Sequence, residues 1–399
     1  MRTRHRRMLL GSILSLVIVL AGSAAVVRQR TDLAWSAMQK QVHTIDAAWQ
    51  LRDHRRLPLY GEGTEGRAFD GYQRAIELGK PLCRGDNKEL VATLPHWIDT
   101  KVAGTEALRE RWRPAIDALR AACRCNDARP PQTSAAVPET GILSLLDARW
   151  LVNMTVLEAR ALRLAGQPSN AVERTLDAAT FGADLMQTGL LINTMIGAAM
   201  VAIAVDEAWP ESALSQLDAP SLDLLAEGLD RLDRRLPTFT DLDGELRFIG
   251  HWLQHMPLEE NKDLSPASWR FGFSTRWMAA DAYLRFAAAG ERIVDGPNLS
   301  WPQRKAWLEL EIQQMTAAGN PLTAMMVPNL MSSESTLREV QTRVRLVRMA
   351  VAAHRGIQSH PLQDPLGAGP FAVAKDGDRV VFRSAGRRGE KAIERSVQQ

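Results

Sequence analysis

Two histidines one helical turn apart have the spacing in this sequence that comes closest to a metal site. His251 and His255 stand at i and i+4 in the segment HWLQH, and this spacing lets two imidazoles bind one metal ion. A zinc protease needs a glutamate directly after the first histidine, and Trp252 stands there instead. Glu259 can be a third ligand only if the helix continues past Pro257. The pair therefore favours a solvated polar helix face, and we expect no metal or cofactor.

A cluster of acids shortly before these histidines raises the question of calcium. Asp241, Asp243 and Glu245 alternate in the segment DLDGE. An EF-hand loop needs a glycine at its sixth position and a glutamate at its twelfth, and this segment has neither in place. Acids in the first turn of a helix interact favourably with its dipole, which explains the cluster without an ion.

The sequence contains three cysteines, Cys83, Cys123 and Cys125. In an oxidising compartment Cys83 can form a disulfide with either Cys123 or Cys125, and one thiol is then left over. Unpaired, half-buried cysteines are an equal alternative, because a cysteine count does not decide the pairing. The C-R-C spacing is too tight for a zinc ribbon.

The last long predicted helix carries several arginines and few acids, among them Glu334 and Glu339. Such a face can bind anionic lipid or an acidic partner, although an ordinary amphipathic helix with a solvated basic face has the same pattern. This candidate basic patch consists of Arg338, Arg343, Arg345, Arg348 and Arg355.

The short motifs that mark common active sites are missing from the sequence. It contains no G-x-S-x-G, Walker A, G-x-G-x-x-G, H-E-x-x-H or C-x-x-C pattern. A Ser/His/Asp site could still assemble from distant residues, but no spacing identifies one. The sequence therefore does not indicate an enzyme, and its catalytic residues, if any, stay unknown.

Composition indicates a globular protein with little affinity for nucleic acid. Of its 399 residues, 45% are hydrophobic and 24% are charged, and the mean hydropathy of -0.19 argues against a polytopic membrane protein. The basic pI of 8.9 reflects Arg2, Arg4, Arg6 and Arg7 at the N-terminus. Without them 45 basic residues stand against 46 acidic ones, so no nucleic-acid partner is expected.

An uncharged apolar segment follows these arginines at residues 8–27. Twenty residues form a helix of about 30 Å, which matches the hydrocarbon core of a bilayer. Arginines stay on the cytoplasmic side, so the segment predicts a single-pass inner-membrane anchor with the bulk of the chain periplasmic or otherwise extracytoplasmic. A cleaved signal peptide is the alternative, since small residues occur at positions 21–25. The uninterrupted apolar run favours an uncleaved anchor.

The elements that must position any site are mostly helices. Apolar residues recur at three- and four-residue spacing, which is typical of amphipathic helices. Only residues 68–78 resemble half of a tetratricopeptide motif, so the pattern predicts an array of antiparallel α-hairpins rather than a true repeat. The stripes and helix-stop signals predict helices over residues 31–53, 68–78, 106–123, 142–165, 169–187, 190–209, 220–236, 241–256, 276–289, 301–318 and 333–355.

Residues 185–205 form a second uncharged stretch, but its features favour a buried helix over a membrane span. Gly189 starts a new helix, which leaves about 24 Å of apolar helix, too short for the bilayer core. The flanks are acidic, with Asp184 on one side and Asp206 on the other. Small residues such as Gly197 suit close packing by neighbouring helices, so this helix should lie at the centre of the domain.

The C-terminal region changes to a strand pattern. Residues 371–375 and 378–384 are β-prone runs around Asp376 and Gly377, which predicts a hairpin with a type I′ turn. The chain is thus expected to be mainly α, with a small C-terminal β-hairpin. Its predicted divisions are a cytoplasmic stub (1–7), an anchor (8–27), an N-terminal helical region (28–125), a linker (126–140), a helical domain (141–356) and a hairpin with flexible tail (357–399).

The C-terminal motifs carry a resemblance. Asp364-Pro365, Gly367, Pro370, the Asp376-Gly377 turn and Ser384-Ala385-Gly386 follow the arginine-rich helix. This layout resembles the tail of a loose set of uncharacterised membrane-anchored helical bacterial proteins, and over about 25 residues it resembles the tail of type II secretion major pseudopilins. The N-terminus departs from the pilin pattern, so neither prepilin processing nor the calcium binding of pseudopilin tails is expected.

These features predict a membrane-tethered extracytoplasmic helical scaffold or protein-interaction protein, which contacts the membrane through residues 8–27 and also binds a protein partner. The tail resemblance implies an alternative role as an accessory to envelope assembly or secretion. A hydrolase with an unrecognised site is a second alternative, based only on the histidines and acids.

Overall fold

The helices follow the apolar stripes of the sequence, and the mainly α prediction is confirmed. The computed structural model describes residues 2–83, 102, 104–131, 144–209, 211–237, 242–255, 272–294, 296, 299–317, 320, 322–323, 330–357, 361–388 and 391–398. Side chains are described for these residues except 2–22, 24, 83, 207, 211–212, 272–275, 387–388, 391–392 and 398.

Most helices begin and end near the predicted positions. The described helices are α1 (Arg2–Leu51), α2 (Ala68–Gly79), α3 (Glu106–Arg124), α4 (Leu145–Leu164), α5 (Pro168–Met186), α6 (Leu191–Ala202), α7 (Glu211–Leu214), α8 (Ala219–Arg235), α9 (Asp243–His255), α10 (Gly272–Val294), α11 (Trp301–Thr316) and α12 (Leu330–His354). However, α1 begins at Arg2 instead of residue 31, and the short α7 is not predicted. A π-helical turn, Ile203–Glu207, continues α6. The short strands β1 (Thr64–Arg67) and β2 (Cys125–Asp127) pair in parallel, and the sequence pattern does not predict them.

The chain forms two compact units built from non-contiguous segments. The smaller unit contains Met1–Leu51, Leu246–Arg292 and Ile312–Val327. The larger unit contains Arg52–Glu245, Ile293–Glu311 and Pro328–Gln399. These bounds differ from the divisions expected from the sequence. The expected linker starts inside β2, and its residues 132–140 lie outside the described part of the chain.

In the smaller unit the predicted stripe of α1 is buried. Met38, Val42, Ile45 and Trp49 are each less than 9% exposed. A Cβ on Gly250 of α9 would lie 2.4 Å from Val42 Cγ2, so α1 and α9 are in direct contact there.

The larger unit is centred on α5 and α6. Nearly every α5 side chain from Ala171 to Met186 is buried. A Cβ on Gly182 would lie 2.7 Å from the carbonyl oxygen of Gly197, and one on Gly197 would lie 2.4 Å from that of Gly182. The two helix backbones therefore touch, which only glycine permits at both positions.

The prediction for residues 185–205 is confirmed. Gly189, with a φ of 73°, separates α5 from α6. Leu191, Ala198, Met200 and Val201 of α6 are at most 4% exposed. Within the described residues, no helix is both long and apolar enough to cross a membrane. The predicted anchor at residues 8–27 lies almost entirely outside the described side chains, although its backbone belongs to α1.

The C-terminal region is a three-stranded sheet rather than a hairpin with a flexible tail. Strands β3 (Ala372–Asp376), β4 (Arg379–Arg388) and β5 (Lys391–Gln398) pair antiparallel in that order. Ala372 pairs with Arg383, which confirms the predicted hairpin. The third strand corrects the expectation of a flexible end. The apolar side chains Phe371, Val380, Phe382, Ile393 and Val397 are buried and join the core of the larger unit.

The hairpin turn differs in type from the prediction. Asp376 pairs with Arg379, so Gly377 and Asp378 are the two loop residues. Gly377 has a φ of 59°, and no non-glycine residue in the described chain has a positive φ. A positive φ at the first loop residue alone is typical of a type II′ turn, whereas type I′ needs it at both residues.

We expect Gly377→Val to destabilise the sheet by about 1–3 kcal/mol, because a β-branched residue is strained at positive φ. The thermal midpoint and the protease resistance of the C-terminal tail should both fall. Gly369→Val is the matched control, since nothing lies within 4 Å of a Cβ added at Gly369 and its φ is not positive. Equal behaviour of the two variants would contradict the turn assignment.

Candidate functional site

Two carboxylates on α5 form the centre of a buried polar cluster. Asp177 and Asp184 stand seven residues apart, two helical turns, and so share one face of the helix. Both are fully buried. A buried carboxylate is stable only when it is hydrogen-bonded or paired with a cation, so its partners define the cluster.

Asp184 binds two guanidinium groups. Arg56 Nη2 lies 3.0 Å from Asp184 Oδ2, and Arg235 Nη2 contacts the other carboxylate oxygen. The Tyr72 hydroxyl donates a short hydrogen bond to Asp184 Oδ2. Arg56 also donates to the carbonyl oxygens of Cys123 (2.9 Å) and Ala122 (3.0 Å). Burial raises the pKa of Tyr72 well above its usual range, so its hydroxyl stays protonated as a donor.

Asp177 has a different set of partners. The Tyr60 hydroxyl donates to Oδ1 at 2.6 Å, and Arg174 Nη1 donates to Oδ2 at 2.8 Å. The Cys123 thiol donates to the backbone carbonyl of Asp177 at 3.2 Å and links the two halves of the cluster, because it also lies 3.9 Å from the Tyr72 hydroxyl. Burial raises the pKa of Asp177 to about 6, despite the hydrogen bond from Tyr60 and the charge of Arg174.

The Asp184 half of the cluster has a surplus of positive charge. Arg56 and Arg235 share one carboxylate, and their side chains are only 5% and 13% exposed. Burial and the neighbouring Arg56 lower the pKa of Arg235, but a guanidinium remains cationic at neutral pH. Among the described residues, Arg235 Nη1 and Arg56 Nε are buried without a hydrogen-bond partner.

These two arginines line a pocket with a volume of about 470 Å³. Volumes of this order are typical of small-molecule sites. We call it the arginine pocket. Its lining consists of Arg52, Asp53, His54, Arg55, Arg56, Leu57, Ala128, Gln187, Arg231, Arg234 and Arg235.

Two chain segments supply the arginines of the pocket. Residues 52–57 run beside β2, where Arg56 N donates to Asn126 O at 2.8 Å and Ala128 N donates to His54 O at 3.0 Å. The last turn of α8 supplies the other three, at i, i+3 and i+4 on one helix face. Arg231 Nη1 donates to Pro58 O at 3.0 Å, and Gln187 Nε2 donates to Arg235 O at 3.0 Å. These bonds fix the two segments relative to each other.

The charge balance of the arginine pocket is positive. Arg231 pairs with Glu227 and Arg234 with Asp230, so two of the six guanidiniums have acidic neighbours on their own helix. Asp184 forms ion pairs with both Arg56 and Arg235. The lining itself contains six arginines and one carboxylate, Asp53. A positively charged lining favours the approach of anions, and guanidinium groups bind carboxylate and phosphate oxygens through paired N–H donors.

The predicted basic patch of α12 is neutralised by acids. Arg345 Nε lies 3.0 Å from Asp233, Arg348 contacts Asp230 and Asp233, and Arg355 contacts Asp223, all on α8. Arg343 pairs with Asp206 and Glu339, and Arg338 with Glu334. The arginines join helices within the larger unit, which leaves little uncompensated charge for a lipid or an acidic partner.

The cysteines that the structure describes carry free thiols. Cys123 is buried in the polar cluster, and Cys125 Sγ lies 3.6 Å from Ala121 O. The side chain of Cys83 lies outside the described residues, so a disulfide from Cys83 to either of them stays a prediction. Burial raises the pKa of the Cys123 thiol far above its usual range, so Cys123 is an inert packing residue rather than a nucleophile.

The histidine pair does not converge on a common point. His251 Nε2 lies 2.9 Å from Asp46, which also accepts from Arg247 Nε at 2.7 Å. His255 Nδ1 lies 2.9 Å from the backbone carbonyl of His251. His255 is exposed as predicted, but His251 is half-buried in this ion-paired group. Glu259 lies outside the described residues.

Glu245 of the DLDGE segment has a structural role. Its Oε2 accepts the backbone N–H of Leu191 at 3.0 Å and so satisfies a free amide at the start of α6. Burial raises its pKa. Asp241 lies outside the described residues. In the part of the chain that the structure describes, no three His, Cys, Asp or Glu side chains are placed to hold a metal ion.

The tail motifs that carry the pseudopilin resemblance form a hydrogen-bond network around one buried carboxylate. The buried Asp364 carboxylate accepts from Ala385 N at 2.7 Å, Ser384 Oγ at 2.8 Å and Leu366 N at 3.0 Å. A Cβ on Gly386 would lie 2.5 Å from Leu366. The D-P-x-G and S-x-G elements are therefore explained by folding of the tail.

No protein family, characterised protein or solved structure matches the chain in sequence or fold. Its function is therefore inferred from the geometry of the arginine pocket. Sequence reasoning missed this pocket, although two signals were present: the run RDHRR at residues 52–56 and the three arginines that end the leucine stripe of α8.

Proposed function

We propose that the protein is a membrane-tethered, extracytoplasmic helical binding protein that holds an anionic ligand in the arginine pocket. The observation that carries the proposal is the lining of the pocket, which contains six arginines and one carboxylate, Asp53. The tether and the location are supported by the apolar segment at residues 8–27 and the arginines before it.

The pocket geometry favours binding over catalysis. Tyr72 and Cys123, to which Arg56 donates hydrogen bonds, are held protonated by burial, so neither is an activated nucleophile. Six of the lining residues are arginines, whose guanidiniums do not transfer protons near neutral pH, and His54 is the lining residue that can. This proposal specifies a ligand-binding role for the scaffold expected from the sequence.

We expect Arg234→Gln to weaken anion binding about 10-fold, because a charge-assisted hydrogen bond contributes roughly 1.5–3 kcal/mol. Arg234 is suited to the test since its side chain is 70% exposed and its loss should not disturb folding. Titration calorimetry of the full-length protein with pyrophosphate measures the dissociation constant.

Arg113→Gln is the matched control for this experiment. Arg113 is 64% exposed on α3, pairs with a neighbouring acid as Arg234 does, and is not part of the pocket lining. If both variants bind pyrophosphate like the wild type, or if the wild type does not bind it, the proposed function is wrong.

A further inference from the structure

We infer that the ligand of the arginine pocket is a phosphorylated polyol or sugar, with its phosphate on the more exposed arginines of the lining and its hydroxyl groups towards Asp53 and Gln187. This inference rests on the proposed anion-binding function and specifies the chemical class of the ligand. Three features of the pocket support it: the number of donors, the volume and the composition of the lining.

The number of donors favours phosphate over a carboxylate. Six arginines line the pocket, and Arg231 and Arg234 lie within about one turn of Arg235 on α8. Each guanidinium has five N–H donors, whereas a carboxylate has two oxygens and is satisfied by one bidentate partner. A phosphate monoester presents three terminal oxygens and up to two negative charges, so it can engage several of these guanidiniums at once.

The volume of the pocket favours an organic phosphate over inorganic phosphate. About 470 Å³ is within the range of sites that bury a small organic molecule, and a single phosphate ion fills a minor part of it. The ligand therefore includes a further moiety of several heavy atoms beyond its phosphate group.

The composition of the lining favours hydroxyl groups on that moiety. Among the lining residues that the structure describes, none is aromatic, and the apolar ones are Leu57 and Ala128. An acyl chain needs an apolar wall, which this lining does not provide. The Asp53 carboxylate and the Gln187 amide instead offer acceptors for hydroxyl hydrogens.

Two sources can supply this chemistry: a soluble phosphorylated sugar, or the phosphorylated headgroup of a membrane lipid. The decisive measurement is titration calorimetry of the full-length protein with inositol monophosphate, inorganic phosphate, adenosine monophosphate and citrate. We expect inositol monophosphate to bind at least about 10-fold more tightly than the other three, which corresponds to one or two additional hydrogen bonds.

A variant separates hydroxyl recognition from phosphate recognition. Asp53 is exposed, so Asp53→Asn should fold normally while it removes a charged acceptor. We expect the preference for inositol monophosphate over inorganic phosphate to fall by about 10-fold in this variant, because a hydrogen bond to a charged group is lost. The affinity for inorganic phosphate itself should be unchanged or higher, since a negative charge has been removed from the lining.

The outcomes distinguish an error in the proposed ligand class from an error in the proposed anion-binding function. Suppose that pyrophosphate binds but that adenosine monophosphate, citrate or inorganic phosphate binds as tightly as inositol monophosphate. The proposed ligand class is then wrong, whereas the proposed anion-binding function is not affected. If no anion binds, the proposed function fails with it. Vesicles containing phosphatidylinositol monophosphate identify the source: tighter binding than free inositol monophosphate indicates a lipid headgroup, and weaker binding indicates a soluble ligand. Both of these results support the phosphorylated polyol.

Discussion

Asp184→Asn should destabilise the larger unit by about 3–5 kcal/mol, the largest effect expected of a single substitution in this protein. The carboxylate is fully buried and compensates both Arg56 and Arg235. Its loss leaves two buried guanidiniums next to each other without an anion, and the cost of an uncompensated buried charge exceeds that of a lost surface pair.

The effect can be measured by denaturant unfolding combined with hydrogen exchange of α5, because the two units need not unfold together. Asp230→Asn is the matched control. Asp230 also serves two arginines, Arg234 and Arg348, but its side chain is 37% exposed, so we expect a loss of no more than about 1 kcal/mol.

A second variant tests whether the charge itself is the cause. In Asp184→Asn combined with Arg235→Gln one buried cation has been removed together with the anion, so part of the stability should return. Equal destabilisation by Asp184→Asn and Asp230→Asn, or no recovery in the double variant, would show that the polar cluster does not stabilise the fold as described.

The fold could be predicted well from the sequence where the signal is local. The leucines of α8 and the valines of α12 recur at helical spacing, and burial of one face follows directly from that period. The third C-terminal strand was missed because Arg395 stands between Ile393 and Val397 and breaks the apolar alternation that identifies a strand.

The arginine pocket could not be predicted because its parts are distant in the sequence. Residues 52–57 and the end of α8 are separated by more than 170 residues. The sequence of each segment alone indicates only a polar surface segment. The same holds for the basic patch of α12. Arg345, Arg348 and Arg355 looked unpaired because their partners Asp223, Asp230 and Asp233 lie on another helix, more than 100 residues earlier in the chain.

One signal for the buried cluster was nevertheless present in α5. Asp177 and Asp184 interrupt an almost wholly apolar and small-residue helix at a spacing of seven, so both carboxylates must enter the core if the helix is buried on all sides. A buried pair of this kind requires cations from elsewhere, and this requirement could have directed attention to the arginine runs.

The free energy of unfolding should decrease as the pH rises from about 4 to about 7, and Asp177 is the residue responsible. Burial raises the pKa of Asp177 to about 6 in the native state, whereas an aspartate in the unfolded chain has a pKa of about 3.9. Between these values the native state binds the proton and the unfolded state does not, so stability is greatest below the lower value and is lost as Asp177 ionises. A difference of about 2 pKa units corresponds to about 3 kcal/mol.

Asp177→Asn mimics the protonated form and removes this titration, so the wild type should lose about that much stability relative to the variant over this interval. Asp70→Asn, at a side chain that is 63% exposed, corrects for the change in surface charge. A stability difference between wild type and Asp177→Asn that is constant with pH, or that changes in the opposite direction, would mean that Asp177 is ionised throughout and that Arg174 and Tyr60 compensate its burial fully.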